Sequence, residues 1–290
     1  MHNVKKIAII PTLLTLGNGV CGFAAIAMAS KIVRIDPDLA TDADNFFLSL
    51  SGWLILAAML FDALDGYVAR LSRSASKFGG ELDSLCDAIS FGVAPAYLLL
   101  RLGQSLESRP LLGKTVVGIA TLYMVCTLLR LARFNIENTP DPASHKRFRG
   151  LPSPGAAGCL ASLAILYGEL PHKLALIQRE FGGQWPDFDL VHLRQSIMVW
   201  AILGALVIAL LMVSRVPYPH VTKQVLRGRR HFSHLVQVIL FAFIIVLIRE
   251  LALVLLFWIY AAGIPVRYTV ARQLRRSPVP APRLDDTVSR

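Results

Sequence analysis

Four aspartates, Asp62, Asp65, Asp83 and Asp87, fall within 26 residues and are flanked on both sides by apolar sequence. On a helix turning about 100° per residue, Asp62, Asp65, Gly66 and Ala69 occupy one arc of roughly 100°. Gly79, Asp83 and Asp87 recur at i, i+4 and i+8, so they too share a face. The stretch between, "RLSRSASK", is short, which makes the two helices antiparallel neighbours and lets both acidic faces converge on one pocket. Like charges in such a low-dielectric site repel, and a divalent cation removes the difficulty. Carboxylate oxygens are hard ligands that suit Mg²⁺ or Mn²⁺, and a pair of such ions is a known arrangement for phosphoryl chemistry. Gly66, Ala69 and Gly79 would let a phosphate-bearing ligand approach the helix backbone. Arg70 is placed to neutralise phosphate oxygens. Any one aspartate alone reads equally as a helix cap or an interfacial residue. A cation relay in an ion-coupled transporter would explain the acids, but not the small residues and Arg70 beside them.

The elements that must position these residues are membrane helices. Of 290 residues, 54% are hydrophobic and 17% charged, and the mean hydropathy is +0.55. Apolar runs long enough to cross about 30 Å of hydrocarbon lie near Ile7–Ser30, Phe46–Leu71, Leu82–Leu102, Leu112–Phe134, Ser153–Leu170, Ser196–Ser214 and Leu235–Ala262. The first follows "MHNVKK" without a small-residue cleavage site and reads as a retained helix. The fold class is therefore all-α, a polytopic integral membrane bundle spanning residues 1–276. A proline-rich tail, 277–290, is expected to be disordered. Cys21, Cys86, Cys126 and Cys159 lie inside apolar runs and read as buried small hydrophobes.

Net charge is +11, carried mostly by Lys and Arg beside the apolar runs. Anionic lipid headgroups are the natural counter-charge, and no nucleic-acid partner is expected. Lys5 and Lys6 precede the first run whereas the loop after it is acidic, so the N-terminus lies inside. Alternation then puts Arg73 and Lys77, the Arg130–Arg149 region and the basic stretch after Ser214 on the cytoplasmic side. A short interfacial helix is expected in the outward stretch 168–195. One crossing by the last run would put the basic tail outside. Two short helices turning at Arg249 and Glu250 resolve this, so about eight helices are expected, seven if the run crosses once.

The spacing D-x-x-D-G-x-x-A-R-x8-G-x3-D-x3-D resembles the signature of the CDP-alcohol phosphatidyltransferase family, with all eight positions filled. "PTLLTLGNGVCGF", "KFGGELDSLCDAISFGVAPA", "LRLARFN" and "FRGLPSPGAAG" further resemble its phosphatidylserine synthase branch. The resemblance implies an inner-membrane enzyme with a cytoplasm-facing site. It would transfer a phosphatidyl group from CDP-diacylglycerol to L-serine as a homodimer, with two Mg²⁺ or Mn²⁺ ions. It further implies metal binding by Asp62, Asp65, Asp83 and Asp87, with Asp87 as general base, and nucleotide or pyrophosphate binding by Asp65, Gly66, Ala69, Arg70 and Gly79. Glycerol phosphate or inositol phosphate is the alternative acceptor, and a phosphorylated acceptor would need more clustered cations.

L-serine needs a cation for its carboxylate, and the segment after the fourth run offers Arg130, Arg133, Asn135, Lys146, Arg147 and Arg149. Basic residues at such a boundary also serve topology and lipid contact. Asn18, polar within the first run, reads as a helix-to-helix bond or a nucleotide contact. Ser90 is expected to bond a backbone carbonyl. The prolines of "LPSP" are expected to set the entry of the helix that follows.

Overall fold

The computed structural model describes residues 2–35, 40–72, 77–106, 109–137, 148–180, 189–214, 216–218 and 249–274. These form α1 (His2–Ser30), α2 (Asp42–Ser72), α3 (Lys77–Asp87), a π-helical segment (Ala88–Val93), α4 (Ala94–Leu102), α5 (Pro110–Glu137), α6 (Ser153–Glu180), α7 (Leu190–Val213) and α8 (Arg249–Leu274). Backbone angles stay helical through Asp87 and Ala94, so α3, the π segment and α4 make one rod. Two-residue strands β1 (Phe148–Arg149) and β2 (Pro217–Tyr218) pair antiparallel. Among the described residues, seven stretches are long and apolar enough to span a membrane, with Phe78–Leu102 counted as one. The chain is an integral membrane helix bundle.

The centre of the bundle is α6, where Ala156, Ala157, Cys159, Ala161, Leu163, Ala164, Ile165 and Tyr167 are all fully buried. It is wrapped by α2, α7, α8 and α4. Small residues make this possible. A Cβ on Gly168 would lie 2.5 Å from the Asn45 carbonyl oxygen, so the ends of α2 and α6 meet backbone to backbone. Large apolar side chains such as Phe23, Leu60, Leu111 and Leu203 point outward, which suits a lipid surround. Cys86, Cys126 and Cys159 are buried and all four cysteines are free, as their apolar setting predicts.

Helix ends are set by local chemistry. Pro154 sits in the first turn of α6 and Ala156 N–H donates to the Pro152 carbonyl at 2.9 Å, so the prolines do open this helix. Just before it, Gly150 has φ +91 and its Cβ position lies 2.2 Å from the Met212 carbonyl oxygen. Only glycine fits there. Gly150 N–H donates to Val216 O at 2.8 Å and Leu151 N–H to Leu211 O at 3.1 Å, tying the start of α6 to the end of α7.

Two sequence expectations are corrected. The polar residues after Leu170 extend α6 to Glu180, without a separate interfacial helix among the described residues. α7 starts at Leu190, ahead of the expected Ser196, capped by Asp189, which accepts from His192 N–H at 3.2 Å. In both cases charges that interrupt the apolar pattern are compensated internally. Lys173 pairs with Glu250, and Arg194 stacks 4.2 Å from the Tyr167 ring centroid while donating to Asn45 Oδ1.

The Lys173–Glu250 pair also orients α8. Its first turn meets the late part of α6, while Tyr260 lies over Gly155 in the first turn of α6, so the two run antiparallel. Ser153 and Lys173 are about 30 Å apart at 1.5 Å per residue. The end of α7 and the start of α8 therefore sit at opposite ends of α6. A helix begins at Arg249, where the charge pattern placed a turn. The additional crossing expected before it falls in 219–248, outside the described residues, as does the tail 277–290.

Candidate active site

Asp62 and Asp65 lie in the last third of α2, Asp83 and Asp87 on α3. Neither helix alone could bring them together. α1 packs along both and is the most extensive partner of α2, so the two acidic faces converge with α1 as their common wall. Carboxylate oxygens of Asp62, Asp83 and Asp87 lie within 4.8 Å of one another. Asp65 stands beside them, its carboxyl within hydrogen-bonding contact of Asp83. Asp65 and Asp87 are buried, Asp62 and Asp83 half-buried.

α1 supplies the supporting bonds. The Thr15 hydroxyl donates to Asp65 Oδ2 at 2.8 Å, and Asn18 Nδ2 donates to Asp87 Oδ1 at 2.9 Å. The Ser90 hydroxyl donates to the Asn18 carbonyl at 2.9 Å, so Ser90 does bond a backbone carbonyl, that of another helix. This bond joins α1 to the π segment directly after Asp87. Tyr123 OH holds the same segment through the Phe91 carbonyl at 3.1 Å. π-Helical insertions often mark functional positions because they re-aim the residues beside them.

The donor set fits a divalent cation. Three carboxylates from two helices reach a common centre, and Asp83 Oδ1 is buried with no hydrogen-bond partner. An oxygen left so is a ligand in waiting.

Gly66 and Ala69 continue the Asp62 face of α2, and Gly79 precedes Asp83 on α3; all three are half-buried. Of the acceptor candidates, Arg130 is half-buried. It is close enough to Asp87 for their charges to interact, and its Nη1 donates to Ser153 Oγ at 2.9 Å. Asn135 is exposed and bonds Ser84 across the rim, Nδ2 to Oγ at 2.9 Å. Arg133 is half-buried. Lys146 and Arg147 lie outside the described residues, as do the side chains of Arg70 and Arg149.

The family model of the CDP-alcohol phosphatidyltransferases matches residues 8–211, which covers every described residue named in this site so far. The chain belongs to the CDP-alcohol phosphatidyltransferase family. Among its relatives in the family is a CDP-diacylglycerol–serine O-phosphatidyltransferase of Helicobacter pylori (strain ATCC 700392 / 26695), 40% identical over 134 residues, 46% of this chain and 52% of that protein. A protein of the same name from Methanocaldococcus jannaschii is 37% identical over 166 residues, 57% of this chain and 65% of the relative. One from Bacillus subtilis (strain 168) is 34% identical over 161 residues, 56% of this chain and 78% of the relative. The chain thus spans about half to two thirds of the length of the first two relatives.

Within this family member, sequence reasoning missed Thr15, Ser153 and Tyr260 as neighbours of the site. Thr15 and Asn18 had a signal, since they lie three apart on one face of an otherwise apolar helix. Tyr260 had none. Its place over Gly155 follows from the antiparallel packing of α8 on α6.

Proposed function

We propose that this protein transfers a phosphatidyl group from CDP-diacylglycerol to the hydroxyl of L-serine, yielding phosphatidylserine and CMP, at the cytoplasmic face of the inner membrane and as a homodimer. The observation that carries the reading is the convergence of Asp62, Asp83 and Asp87 within 4.8 Å. Asp62, Asp65, Asp83 and Asp87 would hold Mg²⁺ or Mn²⁺, two ions by the family resemblance. When bound, the metal offsets the charge of the pyrophosphate and of the departing phosphate.

The chain's own groups then have distinct tasks. Asn18 holds one oxygen of Asp87, which fixes the carboxylate plane and leaves the other oxygen to accept the serine proton. The serine oxygen attacks the β-phosphorus, a new P–O bond forms, and the P–O bond to the CMP phosphate breaks. Arg70, Gly66, Ala69 and Gly79 bind the cytidine diphosphate. Arg130 is the guanidinium for the serine carboxylate, since its Nε is buried with no partner and its fork matches a carboxylate in two bonds. Arg133, Asn135, Lys146, Arg147 and Arg149 are the further acceptor-binding candidates. A phosphorylated acceptor would call for several convergent cations.

The test is CMP release by the purified full chain from CDP-diacylglycerol with L-serine, glycerol 3-phosphate, inositol phosphate or no acceptor. Serine-dependent release that chelation abolishes and Mg²⁺ or Mn²⁺ restores is expected. Full turnover after exhaustive chelation, or release driven only by a phosphorylated acceptor, would refute the proposal.

A further inference from the structure

α1 reaches the carboxylate cluster through one side chain whose bonding is incomplete. Asn18 is fully buried, and its Nδ2 donates to Asp87 Oδ1 at 2.9 Å. An ionised carboxylate only accepts, so the amide nitrogen is the atom turned to Asp87. The amide oxygen, on the same carbon, is buried without a hydrogen-bond partner. The backbone that carries it is pinned beside Asp87. The Ser90 hydroxyl donates to the Asn18 carbonyl at 2.9 Å, and at the next residue a Cβ on Gly19 would lie 2.9 Å from Cys86 Sγ.

Two buried acceptors thus stand unsatisfied, Asn18 Oδ1 beside Asp87 and Asp83 Oδ1 within the cluster. Neither borders a space that admits a water molecule, so a water or a nucleotide hydroxyl does not fill the need in this arrangement. A bare divalent cation needs less room, and Mg²⁺ or Mn²⁺ takes carbonyl as well as carboxylate oxygens. An amide suits this cluster for a second reason. Asp62, Asp65, Asp83 and Asp87 already bring four like charges together, and a further carboxylate would add to their repulsion. A neutral oxygen adds a ligand without adding charge. Coordination through Oδ1 would also polarise the amide and strengthen the N–H bond to Asp87.

We infer that Asn18 is a further ligand of the divalent cation, giving its amide oxygen to the ion while its amide nitrogen holds Asp87. This rests on the reading of the aspartate cluster as a cation site. The ion would then tie α1 to α2 and α3.

The experiment titrates the purified full chain with Mn²⁺, reading free Mn²⁺ by electron paramagnetic resonance and the waters on bound Mn²⁺ by water-proton relaxation. Asn18→Leu keeps the shape of the side chain and removes both polar atoms. Its Kd for Mn²⁺ should rise about tenfold, the low end for groups that support a metal site, and its bound ion should carry one more water. Asn18→Ala, which introduces no bulk, should show the same two changes. Asn18→Asp keeps an oxygen in place and loses the N–H, so its water count should equal that of the wild type. An unchanged water count in Asn18→Leu and Asn18→Ala overturns the inference and leaves the aspartate site standing, even where Kd rises, because the rise then reports only the lost bond to Asp87. An extra water in Asn18→Asp overturns it as well. Wild-type protein that takes up no Mn²⁺ overturns the aspartate site and this inference together.

Discussion

Gly22 tests whether α1 positions the catalytic carboxylates or only packs beside them. A Cβ at Gly22 would lie 2.2 Å from Ser90 Oγ and 2.7 Å from Ser90 Cα, in the π segment that follows Asp87. A rotamer change can clear the hydroxyl but not the Cα. In Gly22→Ala the 2.7 Å approach must open to at least 3.4 Å, so α1 and the π segment separate by about 0.7 Å. That shift acts on the Asn18–Ser90 and Asn18–Asp87 bonds, each 2.9 Å long. Overpacking of this kind costs about 1–3 kcal/mol of stability. Displacing a catalytic group by about 1 Å can cost on the order of 10²-fold in turnover. We expect kcat to fall by roughly 10- to 100-fold in protein that still elutes as a folded species, with a lowered unfolding temperature. Gly118→Ala is the control. A Cβ there meets no atom within 4 Å, and alanine is favoured in helices by up to about 1 kcal/mol, so turnover and stability should be unchanged or slightly raised. Wild-type turnover and stability in Gly22→Ala would refute the close approach of α1 and with it the positioning role of Asn18.

Asp87→Asn should lower turnover by something like 10² to 10⁴ while binding of CDP-diacylglycerol largely survives, whereas Asp65→Asn should weaken nucleotide binding as well. Equal loss of binding in both variants, measured by equilibrium titration, would remove Asp87 as a dedicated base. Single cysteines placed at positions 73–77 and beyond Arg275, in a background without the native cysteines, should label only from the cytoplasmic side. A tail labelled only from outside would show that no additional crossing precedes α8.

The aspartate signature is a strictly local pattern, and locality is why it was readable. Helical periodicity converts the spacings 62, 65 and 79, 83, 87 into two acidic faces before any tertiary contact exists. The apolar runs were readable for a similar reason, since the bilayer demands about 20 such residues per crossing wherever they sit in the chain. Compensated charge blurred the boundaries. Lys173 and Arg194 looked like loop residues because their partners, Glu250, Tyr167 and Asn45, are distant in sequence and meet them only in the packed bundle. The same holds for the site. That four carboxylates could share a pocket was a property of the sequence. Which donors hold them, and which arginine bonds the start of α6, depended on α1, α3, α5 and α6 coming together, because a hydrogen bond at 2.9 Å is decided by the relative placement of whole helices. Gly22 and Gly168 mark where that placement is set. Each lets two helices approach more closely than a side chain would allow, a constraint that exists only between elements.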